Sequence, residues 1–431
     1  MKVHVTKYFS KKTCFTVLLC FVLYVTLVVL GEGSNLSESR DILTFMHAAS
    51  FGSLFPSIST ARILNVVSYK KKVGWHFVHF PCMYYCRDQN VRVRVSLGTL
   101  PHHIDSADAV TFSTGPFTHE EWKDLHSIRP RDQVWILATQ EPASVMSDLL
   151  PPKEFRYDTY NLSFTFHTLT NIDGAYGKYE PFPAEQESSR NIFQEKTEMA
   201  AWVSTRHCGG MNWDRTRFVK DLGKHVPIHM YGGCGNRTLR RGIYWSKGTL
   251  QKYKFHVSLE NSCCSEYITE KFWNALEHFE SIPIVIGGTK EEYTTLGPPH
   301  SFIHAEDFGS MEELGKYIMT VAKNETLYNS FHDWRKKGKV SQQQFRQRFP
   351  VFKDGGCKVA RKILELEQSQ KLFKFDAYDA HWWGSCYRCG SQSWIQDYIF
   401  WKTLTRNRQS WEDDRVLFWM EDEDVHKITS N

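Results

Sequence analysis

The first pattern along the chain is an uncharged apolar run over residues 14–30, preceded by Lys2, Lys7, Lys11 and Lys12 and followed by a polar stretch, 31–40. Its length falls at the lower end of the ~17–25 residues that cross a bilayer as a helix. It also exceeds the ~7–15-residue apolar core of a secretory signal peptide, although Val29 and Gly31 keep a cleaved signal as the competing reading. Positive charge on the N-terminal side alone orients that end to the cytosol and the rest of the chain to the lumen. The expected layout begins with a cytosolic tail over 1–12, a transmembrane signal anchor over 13–31 and a stem over 32–62, where short apolar pieces show no sustained period.

From Ile63 onward short apolar runs alternate with polar or helical sequence. Residues 63–68, 109–113, 134–139, 201–204, 228–231, 255–259 and 282–286 are rich in β-branched and aromatic side chains and predict strands. Helical patterns lie between them at 215–222 and 267–279, the latter with Ile268, Phe272, Ala275 and Phe279 on one face. Strands interleaved with helices predict parallel sheets covered on both faces, an α/β fold. A polar, irregular stretch over 178–194, containing Pro181 and Pro183, marks the division between two α/β halves. We place the N-terminal half at 63–185, the C-terminal half at 186–365 and a closing segment at 366–431.

Composition narrows the class. The chain has 431 residues, 41% hydrophobic and 23% charged, enough for two cores. Its net charge of +5 is too small and dispersed to indicate nucleic acid. Four N-glycosylation sequons lie beyond the anchor, at Asn35, Asn161, Asn236 and Asn324. Nine of the 11 cysteines also lie there, in a compartment where disulfides persist, and an odd number leaves at least one thiol unpaired within the chain.

The chemistry concentrates over 253–288, YKFHVSLENSCCSEYITEKFWNALEHFESIPIVIGG. A strand ending near Leu259, a polar turn and a helix opening near Tyr267 put free backbone N–H groups at a strand's carboxyl edge, where open α/β sheets bind phosphate. Lys271 adds a full charge to that field, and Glu270 offers a carboxylate to ribose hydroxyls. Both also read as ordinary solvated helix charges. The stretch closely resembles the signature of the α1,3-fucosyltransferases, family 10 of the glycosyltransferases: Phe255, Glu260, Asn261, Tyr267, Thr269, Glu270, Lys271, Pro283 and Gly287 fall where that signature has them. The resemblance implies that Lys271 meets the donor's diphosphate while Glu270, Tyr267 and Asn261 line a GDP-fucose pocket. Upstream, 201–235 is similar to the family's first donor-domain unit, in which an arginine seven residues before a leucine supports the diphosphate. Counting back from Leu222 selects Arg215, with Arg217 as its neighbour and rival. Cys208 and Cys234 flank this unit as a disulfide or as two buried thiols.

On the other side, Glu141 in Gln140-Glu141-Pro142 follows a predicted strand where the family has glutamate-serine-proline, and the resemblance makes it the base that deprotonates the acceptor. As a turn residue before proline it also has a purely structural reading. Residues 160–177 are similar to the family's next segment but depart from it at His167, Leu169, Thr170 and Asn171. Cys386 and Cys389, with Cys82 and Cys86, permit a zinc reading, but the compartment favours disulfides; family members carry a C-terminal C-x-x-C that bridges back to the N-terminal half. The short acidic pair Asp422 and Asp424 lies in a tail far from the donor motif, so no metal site is expected.

The resemblance implies a GT-B architecture, two Rossmann-like domains facing across a cleft. It also implies inverting transfer of fucose from GDP-fucose to a hydroxyl of a glycan or glycoprotein, in α1,3 linkage to N-acetylglucosamine. No cofactor is expected, divalent ions at most stimulating. The expected location is the Golgi membrane, with the endoplasmic reticulum as the alternative. A protein O-fucosyltransferase of the same fold and a catalytically inactive glycan-binding relative are the other readings.

Overall fold

The computed structural model describes residues 61–70, 81–113, 118–187, 190–205, 208, 213–240, 243–342, 350–370, 373–379, 381–387 and 389–399. The expected anchor, the stem up to residue 60, Asn35 and the acidic tail lie outside these residues, and Arg62, assigned to the stem, instead opens the first strand. No helix among the described residues is long and apolar enough to cross a membrane.

Two parallel sheets organise the chain. The first half supplies β1 (Arg62–Tyr69), β2 (Cys82–Cys86), β3 (Val91–Gly98), β4 (Ala109–Phe112), β5 (Val134–Ala138), β6 (Leu162–Thr165) and β7 (Ile172–Asp173), in the spatial order β2-β3-β1-β4-β5-β6-β7. Strands β1 and β4 to β7 pair in parallel, while β2 and β3 form an antiparallel hairpin at the edge. The segment expected to be irregular opens instead with a strand, β8 (Gly177–Pro181). The second half adds β9 (Glu198–Val203), β10 (Ile228–Tyr231), β11 (Tyr253–Leu259), β12 (Ile282–Ile286) and β13 (Ile303–His304), all parallel in the order β10-β9-β11-β12-β13. Finally β14 (Gly338–Gln342) pairs antiparallel with β8 and gives that polar stretch its partner.

The all-apolar run of β12 is buried at every residue, as a central strand covered on both faces must be. Its sheet packs Phe255, Val257, Ile284 and Ile286 against Phe218 and Leu222 of α1 (Arg215–Leu222) and Leu314 and Ile318 of α2 (Met311–Lys323). α1 starts where predicted because Asp214 accepts a hydrogen bond from the Arg217 N–H at 2.9 Å. The helix predicted over 267–279 is shorter, α3 (Glu270–Glu277), because the backbone N–H of Thr269 turns aside to a buried carboxylate. After β14 the chain returns to the first sheet: the helix Pro350–Ser369 lays Val359, Ala360, Ile363 and Leu366 against Leu64, Val66 and Val93. Cys357 on that helix is bridged to Cys86. This stretch therefore packs with the first half, although most of it falls within the 186–365 range assigned to the second.

Candidate active site

In the second sheet, the order β10-β9-β11 means that the connection after β9 runs to one side and the chain then crosses to the other. The carboxyl ends of β9 and β11 flank this reversal, where an open α/β sheet leaves a crevice for a ligand. α1, with Arg215, follows β9; the turn with Glu260 and Asn261 follows β11; α3 opens with Glu270 and Lys271. One topological feature thus gathers the donor-side candidates from two sequence blocks.

Glu260 organises them, a role that sequence reasoning did not assign. It is fully buried, and its carboxylate accepts from Thr269 N (2.8 Å), Thr269 Oγ1 (2.7 and 2.9 Å) and Lys271 Nζ (3.0 Å). Lys271 also donates to Thr269 Oγ1 at 2.7 Å and stands 3.6 Å from Glu270, yet a quarter of its side chain reaches solvent. Burial pulls the ammonium's pKa down, but Glu260 and Glu270 outweigh it and hold Lys271 charged. Gly287, at φ +141°, backs this arrangement; a Cβ there would lie 2.8 Å from Cβ of Glu260. The signal for Glu260 was its position, a charge directly after a buried strand.

Arg215 is 6% exposed and donates from Nη1 to Leu259 O at 3.2 Å, at the end of β11, while its Nε has no partner among the described residues. Burial lowers its pKa, with Glu260 pulling it back up. Arg217 points elsewhere, to Asp397 O at 3.0 Å and over the Tyr398 ring. Of the two arginines, Arg215 is the one beside Glu260. Asn261 is half-buried in the same turn.

Glu141 lies just past β5, its N–H donating to Thr139 Oγ1 at 3.0 Å. Its carboxylate Oε2 accepts from the Tyr267 hydroxyl at 2.8 Å, a contact from the first half to the second. Tyr267 is 1% exposed, with Phe166 and Tyr176 around its ring. This placement differs from the nucleoside contact the resemblance implied: the phenol is directed at Glu141. Tyr176 in turn donates to Gln140 O at 2.8 Å.

The divergent segment makes a second crossing. Thr168 donates from N and Oγ1 to the two oxygens of Glu266, at 2.6 and 2.8 Å, and His167 Nδ1 lies 3.6 Å from Glu266. Glu266 takes a left-handed conformation, φ 59°, to meet them. A cavity of about 420 Å³ opens beside this contact, lined by Phe166, His167, Tyr176, Glu266, Trp273 and Leu296, among others. Asn171 is absorbed locally, accepting from Ser163 N at 2.8 Å.

The cysteines partly overturn expectation. Cys386 pairs with Cys264 and Cys389 with Cys263, so the C-x-x-C bridges to the turn after β11 and not to the first half. Cys208 pairs with Cys234 as one reading had it. Cys86 pairs with Cys357, and Cys82, a disulfide candidate, is the unpaired thiol among the described residues. Among the described residues no cluster of three or more His, Cys, Asp or Glu side chains could hold a metal. At one sequon, Asn161 is 7% exposed, its amide nitrogen donating to Phe373 O at 3.1 Å and its amide oxygen accepting from Arg129 and Trp135. Asn236 and Asn324 are exposed.

The family model described as "Glycosyltransferase family 10 (fucosyltransferase) C-term" matches residues 193–378. "Alpha-(1,3)-fucosyltransferase 7" of Rattus norvegicus is 31% identical over 273 residues, 62% of this chain and 67% of that protein. "Glycoprotein 3-alpha-L-fucosyltransferase A" of Drosophila melanogaster is 30% identical over 250 residues, 55% of this chain and 46% of that protein. The matches thus span about half to two thirds of the length of these curated relatives. A solved structure, "Crystal Structure of alpha1,3-Fucosyltransferase", aligns with a TM-score of 0.48 at 15% identity, covering 71% of this chain and 91% of the other.

Proposed function

The chain belongs to glycosyltransferase family 10, the fucosyltransferases, and from that premise we propose that it transfers L-fucose from GDP-fucose to a hydroxyl of a glycoconjugate acceptor, with inversion. The acceptor in this reading is an N-acetylglucosamine hydroxyl in a glycan, taken in α1,3 linkage. One observation carries the reading: at the crevice between β9 and β11 the buried carboxylate of Glu260 holds Lys271, with Arg215 on the neighbouring Leu259 carbonyl and within the field of Glu260, while Tyr267 of the same half reaches Glu141.

In the proposed reaction Glu141 takes the proton of the acceptor hydroxyl, and that oxygen attacks C1 of fucose. The bond from C1 to the β-phosphate oxygen breaks, and GDP leaves carrying the electron pair. Lys271 and Arg215 meet the charge that grows on the leaving phosphate, so the reaction as drawn needs no metal. Glu270 and Asn261, at the opening of α3 and in the turn before it, are positioned to hold the nucleoside. We further read the two sheets, joined through the Glu141–Tyr267 contact, as a GT-B architecture with the donor in the second half. The four disulfides support an oxidising compartment, and we place the enzyme in the Golgi membrane with its catalytic part lumenal, held by residues 13–31.

Lys271→Ala tests the reading. The variant is expected to be secreted folded, with fucose transfer from GDP-fucose reduced at least ~100-fold. Turnover equal to the wild type, measured as radiolabelled fucose on a glycan acceptor panel, would remove Lys271 from the site and the reading with it.

A further inference from the structure

We propose that Tyr267 is the positioning residue for Glu141, fixing the base through a hydrogen bond that crosses from the donor half to the acceptor half. The inference rests on Glu141 being the base, as read above.

A carboxylate that is to accept a substrate proton needs one oxygen free and the other held. The Tyr267 hydroxyl takes Oε2 at 2.8 Å, and no other described side chain donates to the Glu141 carboxylate, the Thr139 hydroxyl reaching only its backbone oxygen. Oε1 is left for the acceptor hydroxyl. The donor itself is rigid: the Tyr267 ring is 1% exposed, lies 5.0 Å from Phe166 and 6.2 Å from Tyr176, and its N–H bonds to Cys264 O at 3.1 Å. Burial raises the phenol well above its ordinary pKa, so it stays a neutral donor at physiological pH. The loop beneath Glu141 is held as well, through Tyr176 to Gln140 O at 2.8 Å and Ser144 Oγ at 3.8 Å from Cys264 Sγ.

Tyr267 also neighbours the donor-side elements along the chain. It lies between Cys264, bridged to Cys386, and the helix start that carries Lys271. The carboxylate is therefore aimed only when the donor turn and the first half are in register. Base and donor cradle form one mechanical unit, although 126 residues separate Glu141 from Tyr267 in sequence.

Tyr267→Phe keeps the ring and removes the bond. The expected result is kcat about ten- to hundredfold lower, the ratio that a hydrogen bond to a charged group carries, with KM for GDP-fucose, GDP affinity and Tm unchanged. In the Glu141→Gln background the same change is expected to do nothing further, because Tyr267 acts through Glu141. Glu141→Asp, whose shorter side chain withdraws from the phenol, tests the bond from its other end and is likewise expected to abolish sensitivity to Tyr267→Phe. Wild-type kcat in Tyr267→Phe overturns the inference, as does an equal loss in the wild-type and Glu141→Gln backgrounds. Weakened GDP binding overturns it too, returning Tyr267 to the nucleoside pocket. If Glu141→Gln itself turns over normally, the base assignment fails; if it is inactive while Tyr267→Phe is normal, only the present inference fails.

Discussion

Both sheets reverse their strand order once but fill that position differently. In the second, the strand order reverses between β9 and β11, and the residues there are charged and buried: Glu260, Arg215 and, partly exposed, Lys271. In the first, the order reverses between β1 and β4, whose last residues, Tyr69 and Phe112, are aromatic, with the Lys70–Glu121 ion pair beside them. Tyr69 and Phe112 are fully buried with ring centroids 5.8 Å apart, and Phe112 packs on Trp122 and Trp135 at 5.7 and 5.0 Å. Glu141 stands one strand further along, after β5. A reversal of strand order supplies a crevice in either sheet; side chains decide whether it meets phosphate or becomes core. Burying charge is costly unless it is paired, and Glu260, fully buried, is paired with Lys271 at the end we propose as the donor site.

That contrast can be broken from either side. The largest effect on chemistry is expected at the charged reversal: Arg215→Met, which keeps the buried stem, should lower turnover about 10²–10³-fold while the protein stays folded, as read by initial rates at saturating GDP-fucose beside a melting curve. Near-normal rates would move the phosphate site elsewhere. At the aromatic reversal the opposite split is expected. Trp122→Ala should reduce unfolding free energy by ~3–5 kcal/mol with turnover per folded molecule unchanged, and a parallel fall in both would show that the first crevice also serves the reaction.

The smallest effect separates Glu260 from a half-buried carboxylate of the second half, Glu280. Burial alone would raise Glu280, but hydrogen bonds from Arg190 and Gln251, with the charge of Arg335, hold it down at about 2. A folded-state value below the unfolded 4.5 means that the stability it contributes is present above pH 4.5 and is lost as pH falls towards 2. Glu280→Gln should flatten acid unfolding over that window and leave turnover at neutral pH untouched; lost turnover would tie Glu280 to the site.

Much of the donor side was legible because it is contiguous. The strands at 228–231 and 282–286 and the helix at 215–222 match the observed bounds, since an apolar run or a 3.6-residue period is a local property. The choice of Arg215 over Arg217 needed the strand above it, whose Leu259 carbonyl receives the guanidinium. Other features have no local signature at all. β8 is polar, and only its pairing with β14, from Tyr179 opposite Val340 outward, makes it a strand. Asn161 satisfies the sequon pattern, but core packing uses its amide.

By itself the sequence determined the alternation of strand and helix, the donor motif and the number parity that left a thiol over, because each depends on residue type at fixed spacing. Tertiary structure decided the rest: which cysteines meet, that Cys82 is the odd one, that Glu260 is the buried anchor and that Tyr267 faces Glu141. Those outcomes depend on where two sheets bring their carboxyl ends together, and distance in space between residues far apart in the chain is not written in any window of sequence.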